Sequence, residues 1–325
     1  LVFTCFISVG YSALNSRLSI SGDLNYESQT LYRIIARSSK GDGSNFDFSV
    51  NPTSATTGVF TYDNDGTGSE TVYFYRGNVT NNNVKFAGFC WKIVRTTGTG
   101  GVKLSYNGEP TSSGDCNNDP IVSTVVSTDF NSTYNQTATD YESYVLSNGE
   151  DSSIKRTMDQ WYTYHMTSYT SKLEDTVWCN DRSIYVRDPY NPDPIEIPFF
   201  KPYERFSTRT PDLYCENASD RFTVSSSKGN GKLKYPAAPL TMDEVLLAGS
   251  VDSVGYLGRN QNWWTMTPGN GGGEATYIAI VSKNNKIEFI AFEGNGVGLK
   301  PAISLAPGIR VDSGTGTVSN PYVVS

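Results

Sequence analysis

The chain has 325 residues, 37% hydrophobic and 18% charged, and its 21 Tyr and 15 Phe supply much of the apolar surface. That profile excludes collagen, a coiled coil, a multi-span membrane protein and wholesale disorder, and suits a β-rich extracellular domain. A net charge of −7 with no basic run argues against nucleic acid as a partner, and a single histidine, His165, excludes metal sites built on two imidazoles.

The first predicted element is the apolar run Leu1 to Val9, followed by the small-residue stretch Gly10-Tyr-Ser-Ala13. It reads as the later part of a secretory signal, and residues 1–22 are expected to be a partial signal peptide or a membrane anchor. At about 13 residues the run alone is shorter than the roughly 20 a membrane span needs. Residues 23–57 alternate short apolar clusters with Ser, Gly and Asn around one dense knot, Leu31 to Ile35, and are expected to form a stalk or loosely packed leader. One domain is expected to occupy 58–325.

Within that domain, Thr71 to Tyr75 reads as a strand and Val84 to Val94 as a longer one. The Gly-rich turn Thr96 to Gly101 returns the chain into Val102 to Tyr106, which makes a hairpin. A helix from about Ser152 to Leu173 follows from Ile154, Met158, Trp161, His165 and Tyr169 at spacings of three and four, with Ser152 or Ser153 as its cap. The Pro-rich residues 186–212 read as an ordered loop or flap. A second, short helix is marked by the capping box Thr241 and Glu244, the staple Leu240 and Val245, and the terminating Gly249. Ala275 to Val281, an Asn284-Asn285 turn, Lys286 to Phe292 and Lys300 to Leu305 complete a β-rich last third. Strand pairs at both ends with helices between them imply an α+β fold.

Setting aside Cys5 in the leader, Cys90, Cys116, Cys179 and Cys215 are an even number, consistent with two disulfides in an oxidising compartment. Sequential pairing is expected, because each bridge then closes a loop rich in Gly, Asn, Asp and Pro. A four-cysteine zinc site is disfavoured by the lack of any CxxC spacing.

Catalytic and cofactor chemistry finds little support, so no cofactor and no metal are expected. There is no Gly-x-Ser-x-Gly elbow, and His165 falls in the apolar stripe of the long helix, where a packed or half-buried structural role is the simpler reading. Asp243 and Glu244 sit at a helix start and read as capping groups. Asp63-Asn-Asp65-Gly66 lacks the later glutamate of a calcium loop and reads as a turn. Gly269-Asn-Gly-Gly-Gly273 has no following Lys for a phosphate. The segment 258–270 differs in kind. Adjacent Trp263 and Trp264 on a strand face opposite ways, so one is expected in the core and the other covered or used. With Arg259, Asn260, Asn262, Asn270 and Tyr277, Trp264 forms the candidate recognition surface, since an aromatic platform rimmed by amides holds a sugar or a peptide backbone. The competing reading packs the ring under a loop and uses the amides in turns.

The run Trp263-Trp-Thr-Met-Thr-Pro268, followed by Gly296-Val-Gly-Leu-Lys-Pro-Ala-Ile-Ser-Leu305, resembles the W-L-R-S-P … G-V-R-P-A-L signature of a family of uncharacterised domains in secreted bacterial proteins. Phe86 to Val94 and Leu240 to Val245 add to the likeness, which covers about residues 60–325. That family is similar to the C-type-lectin-like fold shared with formylglycine-generating enzymes. The resemblance implies a C-type-lectin-like domain, secreted or at a bacterial cell surface, adhesin-like, binding a glycan or an extracellular protein. A structural surface or filament subunit is the alternative. The departures limit what carries over. Met266 stands where the motif has Arg, the Glu-Pro-Asn, Gln-Pro-Asp and Trp-Asn-Asp signatures of calcium-dependent lectins are absent, and no cysteine follows Cys215. Neither calcium-mediated sugar binding nor oxidase activity is therefore implied.

Overall fold

The computed structural model describes residues 30–118, 120–124, 151–187, 198–249, 255–258, 261–272, 275–291 and 297–325. The expected leader 1–22 lies outside them. Helix α1 (Leu31–Arg37) opens the described chain, with the Thr30 hydroxyl accepting from the Arg33 amide. Leu31 and Ile35, one turn apart on one face, are both fully buried, and the Leu31 amide donates to the Ile309 carbonyl at 2.9 Å. Strand β1 (Ser39–Asp42) then pairs in parallel with β2 (Gly58–Tyr62), and Phe46 and Phe48 pack with Phe60 and Phe74. From Thr30 onward the expected stalk is thus part of the folded body. The Ile309 carbonyl that holds Leu31 lies far along the chain, so local texture did not reveal that docking.

Strand β3 (Val72–Arg76) precedes a second correction. The long strand expected over 84–94 is a hairpin of β4 (Asn83–Phe86) and β5 (Phe89–Thr96). Ala87 and Gly88 between them have φ of 53° and 81°, the left-handed pair that a tight two-residue turn needs. Alanine at the first position hid the turn, since Asn or Asp is usual there. The expected hairpin onward from β5 to β6 (Val102–Tyr106) is present, and β7 (Ser123–Thr124) follows.

Helix α2 (Ser153–His165) is capped by the Ser152 hydroxyl and gives way to a 3₁₀ turn over Thr167–Lys172, so the helix ends about two turns before the expected Leu173. Next come β8 (Trp178–Cys179), β9 (Ile184–Arg187) and β10 (Pro198–Phe200). The Pro-rich stretch holds not only β10 but also α3 (Lys201–Thr208), where Pro202 sits in the first turn and its missing N–H leaves no bond unmade. After β11 (Arg221–Phe222) and β12 (Ala237–Ala238), α4 (Met242–Leu247) carries the expected capping box in full. The chain closes with β13 (Asn262–Gly272), β14 (Ala275–Val281), β15 (Ile287–Ala291), β16 (Val297–Leu299), β17 (Ala302–Leu305), β18 (Val311–Ser313) and β19 (Tyr322–Val324). The expected turn before β15 places Asn285 at φ 58°.

The described strands form two main sheets. One runs β1-β2-β3-β5-β4-β19-β18, with β6, β17 and β12 continuing from β5. The other runs β15-β14-β13-β10-β9, with β16 and β7 beside β13. The C-terminal β19 pairs in parallel with β4, which ties the end of the chain to its early strands. Helices α3 and α4 pack against β13 and against each other, and α2 packs near β12 and β16. The class is α+β, mostly strand. No helix among the described residues is long and apolar enough to cross a membrane.

Disulfides join Cys90 to Cys116 and Cys179 to Cys215, with Cα atoms 5.5 and 5.6 Å apart. Their sequence separations of 26 and 36 residues predict that replacing either pair by serine lowers the unfolding free energy by about 3–4 kcal/mol. Denaturant titration of the two double variants checks this. Midpoints equal to the parent's would mean that the loops are held without their bridges.

Candidate ligand-binding cleft

A cleft of about 520 Å³ opens where the ends of β5, β6 and α2 converge. Trp161 and His165, one helical turn apart, share a face of α2 and meet Phe89 from β5 and Tyr106 from β6. Their ring centroids lie 5.5 Å apart for Phe89 and Tyr106, 5.8 Å for Tyr106 and Trp161, and 5.4 Å for Phe89 and His165. Those three pairs cross at 61°, 77° and 79°, so the rings form a steep-sided corner, not a flat floor. Trp91 backs the corner at 5.8 Å from Tyr106 and 6.2 Å from Trp161. Of the packed or half-buried His165 expected, the structure keeps the ring contacts but not the burial. Its ring touches Phe89 and Trp161, but the residue is exposed, because α2 ends at this position.

The polar rim consists of Glu109, Asn118 and Gln261, all exposed. The 107–118 loop that carries the first two is fixed at several points. Cys116 is bridged to Cys90, the Cys90 amide donates to the Gly108 carbonyl at 2.7 Å, and the Asn118 side-chain amide donates to the Glu109 carbonyl at 2.9 Å. Burial first, and then the charge of Glu109, push the Tyr106 phenol above its ordinary value. Ile121 completes a wall by lying against Gly298, where an added Cβ would fall 2.3 Å from its Cδ1. A side chain at Gly298 would displace Ile121 toward the cleft.

The surface expected from the 259–277 segment does not assemble around Trp264. Both Trp263 and Trp264 are buried, Trp264 with 0% of its surface exposed, because β13 is an interior strand flanked by β14, β10 and β16 and covered by helices. The Asn262 side-chain oxygen is committed, accepting from the Lys283 amide at 2.8 Å. Tyr277 is 37% exposed and pairs in register with Asn270, eight strand residues and roughly 26 Å from Asn262. Arg259, Asn260 and the Asn270 side chain lie outside the described residues. Among the described residues of this segment, Gln261, between the expected Asn260 and Asn262, lines the cleft. The aromatic corner was legible only in part: the helical spacing of Trp161 and His165 was seen, but assigned to the core.

A second group of charges is buried beside α4. The Glu244 carboxylate accepts from Arg95 at 2.8 Å and from Lys103 at 2.9 Å, and Arg95 also pairs with Asp65 at 2.7 Å. Asp243 pairs with Arg205 at 2.8 Å. Asp65 and the two α4 carboxylates therefore do more than shape a turn and cap a helix. Being saturated with internal partners, they are poorly placed to meet a ligand. A polar cavity of about 160 Å³ adjoins this network, lined by Glu174, Asp175, Arg221 and Lys228 among others. Among the described residues no three His, Cys, Asp or Glu side chains gather as a metal site would require. No family model matches the chain, and no curated protein or solved structure does so either.

Proposed function

We propose that the protein is a non-catalytic extracellular recognition domain of C-type-lectin-like type, secreted by or displayed on a bacterium, which binds a glycan or protein ligand in the cleft beside α2. The observation that carries the reading is the cleft itself, walled by Phe89, Tyr106 and Trp161 and rimmed by exposed amide and carboxylate side chains, on a frame fixed by the Cys90–Cys116 bridge. The two bridges accord with an oxidising compartment. The lectin-like reading draws further support from the pairing of its two motif segments. Trp263 of the first lies in parallel register with Gly298 of the second.

The test is binding of the oxidised chain to arrays of glycans and extracellular proteins, with calcium and with chelator. A saturable hit is expected that is indifferent to chelator. It should weaken roughly tenfold in His165→Ala or Gln261→Ala, whose exposed side chains leave the melting curve unchanged. Silence, together with oligomers of the full chain, would overturn this reading in favour of a structural subunit.

A further inference from the structure

We propose that the polar cavity between Glu174 and the 215–228 segment is a second binding site, which takes the zwitterion of a small α-amino acid. None of its lining residues lines the cleft beside α2, so the proposal does not depend on the recognition reading above.

The cavity brings together unpaired charges of both signs. The Glu174 carboxylate is 7% exposed and accepts from the hydroxyls of Thr97 at 3.1 Å, of Ser304 at 2.9 Å and of Thr99. Among the described residues it pairs with no lysine or arginine, so its buried charge is met by neutral donors alone. Two cations stand in the same condition. Arg221 spends Nε on the Cys215 carbonyl at 2.7 Å and Nη2 on the Glu216 carbonyl at 3.1 Å, which leaves Nη1 without an acceptor. Lys228 donates to the Asp175 carbonyl at 3.1 Å, and neither cation pairs with a carboxylate among the described residues. The frame is fixed. The Cys179–Cys215 bridge anchors the segment before Arg221, and the Asp175 carboxylate accepts from the Val224 and Ser225 amides at 2.8 Å each, holding the turn that carries Lys228.

With Asp65 neutralised by Arg95, the lining carries Glu174 and Asp175 against Arg221 and Lys228 and is neutral overall. A metal cation would be repelled by the two bases and a simple anion by the two carboxylates, whereas a neutral molecule with separated charges complements both. Its ammonium would meet Glu174, and its carboxylate Arg221 Nη1 and Lys228. Thr176 lines the same cavity, is 3% exposed, and has a buried hydroxyl with no partner. Such hydroxyls are seldom left unbonded, and a polar ligand supplies the missing bond. A volume of about 160 Å³ holds a molecule of roughly benzene size, which limits the ligand to the scale of glycine, alanine or serine.

The experiment is calorimetric titration of the full, oxidised chain with glycine, L-alanine and L-serine, and separately with acetate and methylammonium as the two halves of the zwitterion. Saturable binding of at least one amino acid is expected, with both halves at least about tenfold weaker. Lys228→Gln and Glu174→Gln are each expected to weaken the amino acid about tenfold. Lys228 is exposed, so its variant keeps the parent's melting curve and tests the site whatever Glu174→Gln does to the fold. Glu174→Gln is expected not to lower the melting midpoint, because it removes a buried charge that has no counter-ion. No binding of any amino acid, binding of acetate or methylammonium as tight as theirs, or an affinity untouched by Lys228→Gln overturns the proposal.

Discussion

Glu244→Gln is expected to lower the unfolding free energy by about 3–5 kcal/mol, a shift of the melting midpoint on the order of 10 °C. Asp65, Arg95, Glu244 and Lys103 together are electrically neutral and almost fully buried. Neutralising Glu244 leaves one positive charge uncompensated where water cannot reach it. Lys103 would retain the Val177 carbonyl at 3.1 Å and the Trp178 ring at 4.0 Å, neither of which carries a full negative charge. Glutamine isolates the charge from the cap, because its carbonyl still accepts from the Thr241 amide that Glu244 now caps at 3.0 Å. A midpoint of chemical denaturation within error of the parent's would refute the account.

The same carboxylate sets an acid limit on stability. Burial pushes it up, but Lys103 and Arg95 outweigh burial and hold it down at about 2, against an ordinary 4.5. A folded-state value below the unfolded one means that the contribution is complete above pH 4.5 and is lost as pH falls from 4.5 toward 2. The parent should therefore lose more stability than Glu244→Gln between pH 6 and roughly pH 3. Equal losses in the two proteins would assign the acid sensitivity to other groups.

Trp264→Ala is expected to destabilise the fold by about 3–5 kcal/mol while leaving the affinity of the folded fraction for a cleft ligand unchanged. The ring is fully enclosed on β13, where Trp264 pairs in register with Ile280 and the neighbouring Thr265 hydroxyl donates to the Ala279 carbonyl at 2.6 Å. Truncation leaves a large cavity in an interior sheet that cannot collapse without disturbing β14. The check is a denaturation curve together with a ligand titration scaled to folded protein. Lost binding at unaltered stability would restore Trp264 to a recognition surface.

These two residues mark how far the sequence could be read. Glu244 was recognised through its capping role, which is local: Thr241 and Glu244 are three residues apart and fix each other's backbone donors. Its partners Arg95 and Lys103 lie on β5 and β6, and nothing in the spacing of the chain announces that pairing. Trp264 was placed correctly on a strand, but period-two alternation cannot say whether a sheet's second face meets water or another layer. The cleft shows the same division. Trp161 and His165 were found by their helical spacing, while Phe89, Tyr106, Glu109 and Gln261 joined them only through folding.

The sequence by itself determined the α+β class, the capped helices α2 and α4, the closing hairpin of β14 and β15, and four cysteines that pair with their sequential neighbours. Each is written in short-range signals: hydrophobic period, capping residues, turn residues and loop length. Only the tertiary structure decided that residues from Thr30 belong to the folded body, that both tryptophans of β13 are core, and that a cleft with an aromatic wall and a polar rim opens at the end of α2. Burial is set by whichever element covers a face, and here the covering elements lie far away along the chain.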